Sequence, residues 1–456
     1  MLINNSIYSS QTIFNSNRHE VSEDYHNNDH EINQLLESPP SLKNNVKLRE
    51  AVAETATSNK EQEIADSLLG AIDDHTIQLE AISNWTEGGL SAFKGALEMI
   101  AQNMLNNPPK NGEYGSYYED LFQLVLMDVL ANAEDYGFSQ DQKFMQFLAW
   151  GLEYIGTGQH SSWVENLPDP DTISNGTKPG SNDYDGNKKN HLAKIADYLW
   201  KSIASKVGDE IPGTSLASRL MEYLSRDESN SVGISSSLPN KLSETLKTGD
   251  GNNAVSSETG YYDADNGGGW ITNRNNNMSP MMRLVLLSNI LYELEELSTS
   301  DLNTILYGDL KSINECYKKL FKVSSDTATS QSSHLEKPHP DNVYQYIIQF
   351  DNDDDSVHKP STREPLPQDD HGWQDSSLNH VTTTRPSSAT ISLDFAGDLD
   401  RNWLDKLSQN YPKRILGDED IKEINRLGDS VKMIMQTLKY WFQIMRDERV
   451  AIARNI

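Results

Sequence analysis

The stretch Glu419–Ile456, EDIKEINRLGDSVKMIMQTLKYWFQIMRDERVAIARNI, carries the most regular pattern in this sequence. Ile424, Val431, Leu438, Met445 and Ile452 recur every seven residues, and Leu427, Ile434 and Trp441 stand three places after the first three of them. A seven-residue apolar repeat keeps one stripe of a helix turned toward a partner, as in the seam of a coiled coil. A second long helix is therefore needed. Pro280 to Val323 offers one, with Leu284, Leu287, Leu291, Leu294, Ile305, Leu306, Ile313, Leu320 and Phe321, and a register slip near Ser298, Thr299 and Ser300. Two long helices on either side of an insert bury their seams most simply by folding back on each other. The pattern predicts an antiparallel coiled-coil hairpin.

Working outward from that hairpin, the sequence predicts a mainly α fold: a helical N-terminal domain, the long hairpin, and a small mixed α/β or irregular insert. Residues 1–60 read as a polar leader, whose first forty residues are too rich in Asn, Ser, Asp and His to offset the cost of ordering. Residues 61–228 read as a helical domain. Ile64, Leu68, Ile72 and Leu79 form one stripe, Leu90, Phe93, Leu97, Ile100 and Leu105 another, and the densest apolar set lies over Tyr117 to Tyr154. Residues 229–279, with Gly267, Gly268 and Gly269 together, read as a linker. Residues 280–323 form the first hairpin helix and 403–456 the C-terminal helical region. Between them, 324–402 is a polar acidic insert with two strand-like runs, one from Val343 to Phe350 and one at Ile391, Leu393 and Phe395.

The 456 residues include 68 acidic and 39 basic ones, for a formal charge of −29. Such a chain repels phosphate backbones, which argues against a nucleic-acid partner. The apolar share, counted with Gly and without Tyr, is about 38%, below the usual ~45–50%. Part of the chain must be solvated. Cys316 is the only cysteine, so no internal disulfide forms. The first 30 residues lack the basic start and apolar run of a secretory signal. The most apolar later run, Leu121 to Leu130, is interrupted by Gln123 and Asp128 and falls short of the ~20 residues of a membrane span.

Motifs that carry chemistry are weak throughout. Asp351, Asp353 and Asp355 take the first, third and fifth places of a calcium loop, but Ser356 replaces the turn glycine and Thr362 the bidentate glutamate. A second candidate at Asp263, Asp265, Gly267 and Gly268 fails at Arg274. His334, His339, His358, His371 and His380 match no compact zinc spacing. Cys316, between Ile313 and Leu320 on an apolar stripe, reads as a small core residue rather than a nucleophile. The run Ser298, Thr299, Ser300 lacks the later Glu-x-Glu that a mono-ADP-ribosyltransferase needs, and reads as a helix break capped by Ser300. No phosphate loop, nucleophile elbow or dinucleotide fingerprint occurs. The sequence points to no enzyme, cofactor or metal.

The ending, Val431–Lys432 through Ile452, Asn455 and Ile456, resembles the C-terminal helices of bacterial type III secretion needle, filament and tip proteins, which often close near an Ile-x-x-Asn-apolar pattern. Residues 1–20 resemble the uncleaved export segments of those families. The resemblance implies a secreted structural component, made in the cytoplasm and held at the bacterial surface, that assembles through its C-terminal coiled coil and supports translocation of effectors. It implies needle or translocator subunits as partners, self-assembly, and a cytosolic export chaperone. The assembly residues are then Ile424, Leu427, Val431, Ile434, Leu438, Trp441, Met445, Ile452, Asn455 and Ile456. Two further readings stand beside it. One is a type III effector acting through 61–228, the other a cytosolic coiled-coil structural protein or chaperone.

Overall fold

The computed structural model describes residues 32, 34–38, 42–55, 59–108, 117–155, 170–171, 192–226, 233–246, 278–294, 296–323, 343, 374–375, 391–392 and 401–454. The fold is mainly α. Its helices are α1 (Leu42–Thr55), α2 (Asn59–Glu87), α3 (Gly89–Asn106), α4 (Tyr117–Ala131), α5 (Gln142–Tyr154), α6 (Leu192–Ala204) and α7 (Leu216–Ser225). They continue with α8 (Asn240–Leu246), α9 (Pro280–Leu294), α10 (Thr299–Tyr307), α11 (Leu310–Phe321), α12 (Arg401–Gln409) and α13 (Asp418–Arg454). Gln374–Asp375 (β1) and Ile391–Ser392 (β2) form a two-residue antiparallel pair, with Gln374 opposite Ser392. The chain divides into two compact units, one made of residues 1–83 and 416–456 and the other of residues 84–415.

The first unit is built on α1, α2 and α13. Leu48 of α1, Ala65, Leu69 and Ile72 of α2, and Val431, Met435 and Leu438 of α13 form one buried cluster with Ile32 and Leu36. Polar pairs fix α1 on α2: Asn45 Nδ2 donates to Asp73 Oδ1 at 2.6 Å and Arg49 Nη2 to Asp73 Oδ2 at 2.5 Å. On the other side of α2, His75 lies beside Glu423 and Arg426 at the start of α13, while Leu69 and Ala65 share the cluster with residues further along it. The helices α2 and α13 therefore run antiparallel.

The second unit surrounds α4. Every residue of α4 except Tyr118 is buried, and α3, α5, α7, α8, α9 and α12 pack around it. A helix apolar on all sides belongs in a core. Gly151 lets α5 come close: a Cβ there would meet Leu199 Cδ1 at 2.8 Å and Leu126 Cδ1 at 3.2 Å. Gly88 and Gly89, at φ +80° and +59°, make the break between α2 and α3, and the Gly89 N–H donates to Tyr411 O at 2.7 Å. Tyr411 is buried against Trp85 and Phe93, and its hydroxyl donates to Leu284 O at 3.1 Å.

Several expectations are corrected. The long hairpin helix over 280–323 is three helices, because Ser298 caps α10, accepting from the Asp301 N–H at 3.1 Å, and Asp309 caps α11. The cap is Ser298, not Ser300. Every residue from Pro280 to Leu291 is buried, so α9 shows no polar outer face, and within its own unit the C-terminal seam packs on α1 and α2. The polar leader over 1–60 contains α1, and the linker over 229–279 contains α8 with Leu242 and Leu246 fully buried. The domain over 61–228 and the C-terminal region over 403–456 are both divided, at Ser83 and Leu416. Residues 1–31, the run Gly267, Gly268 and Gly269, the calcium-loop candidates, the histidines of the insert and Tyr344 to Phe350 lie outside the described residues, whereas Val343 is buried.

If Leu69 and Val431 share one seam, Leu69→Ala alone costs about 2–5 kcal/mol. Combined with Val431→Ala, it departs from additivity by about 0.5–3 kcal/mol in urea unfolding. Strict additivity would separate the two helices.

Candidate assembly surface

α13 starts with Asp418, Glu419 and Asp420 in its first turn, where the helix dipole favours negative charge. Asp420 Oδ2 accepts from the Gly417 N–H at 3.0 Å, closing the entry to the helix. Of the seam residues expected from the heptad, Leu427, Val431, Leu438 and Met445 are buried, and Ile434 and Trp441 lie partly buried against the cluster of the first unit. Ile424 is half-buried. The side chains of Ile452, Asn455 and Ile456 lie outside the described residues. The structure thus brings together the middle of the predicted seam. It adds Met435, which is buried, and Phe442, which packs against the same cluster. Both stand four residues after a seam position, the mark of an ordinary 3.6-residue helical period that strict heptad counting passes over.

The outer face of α13 is unusual for a solvated helix. Met433 is 63% exposed, Tyr440 66% and Ile444 42%. At 3.6 residues per turn these three fall within about 40° of arc, opposite the buried seam. Arg426 lies on the same ridge, with Nε donating to Glu423 Oε2 at 2.7 Å and Nη2 bonded to Oε1. This pairing holds the Glu423 carboxyl below its ordinary range. Asp447 lies further along, exposed, 3.5 Å from Arg446. Nearer the seam, Lys439 donates to Glu37 at 2.8 Å and lowers the pKa of that carboxyl.

Several polar groups buried elsewhere are committed to structure. Gln123 of α4 donates to Ile155 O at 2.5 Å and accepts from Met281 N at 3.0 Å, so one amide serves the end of α5 and the start of α9. Asp128 accepts from the Ala217 N–H at 3.0 Å, the Tyr136 hydroxyl at 3.1 Å and Asn132 Nδ2 at 3.0 Å. Burial pushes its carboxyl up to about 6. Nearby, Arg219 pairs with Glu98 at 2.5 Å. Cys316 is buried with its Sγ 3.6 Å from Asp301 Oδ1, and burial, with the Asp301 charge, pushes the thiol up to about 12. A thiol held protonated is no nucleophile.

A cavity of about 230 Å³ opens beside Met104, Tyr117, Met278, Arg283 and Tyr307. Its polar groups hold helix ends: Arg283 Nε donates to Met278 O at 2.8 Å, its Nη1 to Ile305 O at 3.0 Å, and the Tyr117 hydroxyl to Met104 O at 2.9 Å. Among the described residues no group of three or more His, Cys, Asp or Glu is placed to hold a metal ion, and no helix is long and apolar enough to cross a membrane.

The Asp128 carboxyl has a sign that experiment can read. Because its folded-state pKa is raised, its contribution to stability is complete below the ordinary carboxylate value near 4. That contribution is lost as pH rises through about 6. The loss amounts to about 3 kcal/mol. Asp128→Asn is expected to gain on the wild type in urea unfolding as pH goes from about 4 to 7. A constant difference across that range would mean that burial does not govern this carboxyl. No protein family, curated protein or solved structure matches this chain.

Proposed function

We propose that this protein is a structural component of a type III secretion apparatus, exported and assembled at the needle tip or along a filament, where it supports translocation of effectors. The observation that carries the reading is α13, a 37-residue helix whose inner seam is filled within its own chain while its outer face keeps Met433, Tyr440 and Ile444 in solvent. A long amphipathic helix with a second apolar stripe is equipped to add a partner after its own unit has folded. The sequence resemblance of the same helix to needle, filament and tip proteins gives that partner its class.

The role is one of binding rather than catalysis. Two buried groups with shifted pKa values, Asp128 and Cys316, are bonded to a helix end and to a neighbouring carboxylate, which is what structural groups do. A cytosolic chaperone that holds the chain before export, and needle or translocator subunits that receive it afterwards, follow as partners.

Export is the test. In a bacterium that makes the protein, wild-type chain is expected in the medium or on the cell surface, and is expected to be absent from both when the export ATPase is deleted. Removal of residues 2–20 is expected to abolish export and leave a soluble protein with unchanged helical circular dichroism. Export that persists without the ATPase, or without residues 2–20, overturns the reading.

A further inference from the structure

The outer ridge of α13 is self-complementary when read against its own reverse. From Arg426 to Asp447 the ridge runs Arg426, Asp429, Met433, Gln436, Thr437, Tyr440, Ile444, Asp447, all within about 60° of one line along the helix at 3.6 residues per turn. Turned end for end about a point between Gln436 and Thr437, it places Met433 opposite Tyr440 and Arg426 opposite Asp447. Each of those pairs occurs twice. Gln436 meets Thr437 at the centre, and Ile444 falls opposite Asp429 at the edge of the apolar patch, where the carboxylate keeps its water. In a parallel arrangement Arg426 would face Arg426 and Asp447 would face Asp447. Like charges placed opposite each other repel.

We propose that α13 is a homodimer interface: two copies of this chain pair antiparallel through the ridge centred on Gln436 and Thr437. The inference stands on the pattern and exposure of α13 and is independent of the export reading. Charge complementarity selects a second copy over an unrelated partner. Arg426, paired with Glu423, and Asp447, 3.5 Å from Arg446, are separated by 21 residues, about 32 Å of helix, with the apolar groups between them. Arg426 has donors for both neighbours, since Glu423 takes Nε and Nη2 of a guanidinium with five N–H groups. Side chains of one helix on each partner make a small contact, so the dimer belongs to the weak class, with dissociation in the micromolar range. The pairing is thus concentration-dependent, and α13 becomes available to other partners as the protein is diluted.

Sedimentation velocity of the purified full chain is expected to show a monomer–dimer equilibrium. Tyr440→Glu is expected to weaken it at least about tenfold, with helical content and melting temperature unchanged because residue 440 is exposed. Orientation is read by disulfide trapping with Met433→Cys and Tyr440→Cys made separately; native Cys316 is buried and does not compete. In the antiparallel pair each new cysteine is about 10 Å along the axis from its own counterpart, beyond the ~7 Å limit of a disulfide, but faces the other variant's cysteine. Mild oxidation is therefore expected to link a mixture of the two variants and neither one alone. A wild-type chain that stays monomeric at several hundred micromolar would overturn the proposal. So would a dimer indifferent to Tyr440→Glu, or linking of either variant with itself in place of the mixture.

Discussion

An amphipathic helix can be buried on one side only, and that constraint shapes the first unit. α13 keeps Lys422, Asp429, Lys432 and Asp447 exposed on one side and buries Leu427, Val431, Leu438 and Met445 on the other, and its partner within that unit is divided in the same way. In α2, Ala65, Leu69 and Ile72 line one side while Lys60, Glu63 and Ile64 are exposed. In α9, of the second unit, Met281 through Leu291 have no side left for water. The same distinction divides the chain into a unit built on paired amphipathic helices and a unit built around fully buried ones.

The seam of α13 was legible because a strict heptad with large aliphatic residues leaves few alternatives. Its partner was not. The α2 stripe is broader than the reading of Ile64, Leu68, Ile72 and Leu79: Ile72 is buried and Leu68 and Leu79 pack against the cluster, but Ile64 is exposed, and the buried positions include Ala65, whose small side chain gives almost no periodic signal. α1 escaped for a related reason. Its docking rests on Asn45 and Arg49 bonded to Asp73, polar contacts at long sequence separation that hydrophobic counting does not see. The run over Pro280 to Val323 misled because its length suggested one helix, whereas the caps at Ser298 and Asp309 cut it into three. Cys316 was read correctly as a core residue, its neighbours on the stripe being decisive.

Within the second unit, side-chain polar groups do work that a backbone cannot. Gln123 joins the end of α5 to the start of α9, and Asp128 caps α7 while holding Tyr136 and Asn132. Both stand on α4, where a polar residue among aliphatic ones looks like an interruption. They are interruptions only in composition, since each serves helix-end groups that would otherwise be buried without a partner. The outer ridge of α13 is the converse case, apolar groups where a solvated surface needs none, and for that reason it bears the functional reading.

The central claim is that α13 lies antiparallel to α2. Spin labels placed on exposed positions, Gln436 with Glu63 in one protein and Gln436 with Glu80 in another, both carrying Tyr440→Glu and kept dilute so that only distances within one chain are read, test it by pulsed electron resonance. The account predicts the short distance for Glu63, with Glu80 displaced by roughly 25 Å along the helix axis, the length of 17 residues at 1.5 Å each. A short distance to Glu80 and a long one to Glu63 would contradict it, as would two long distances.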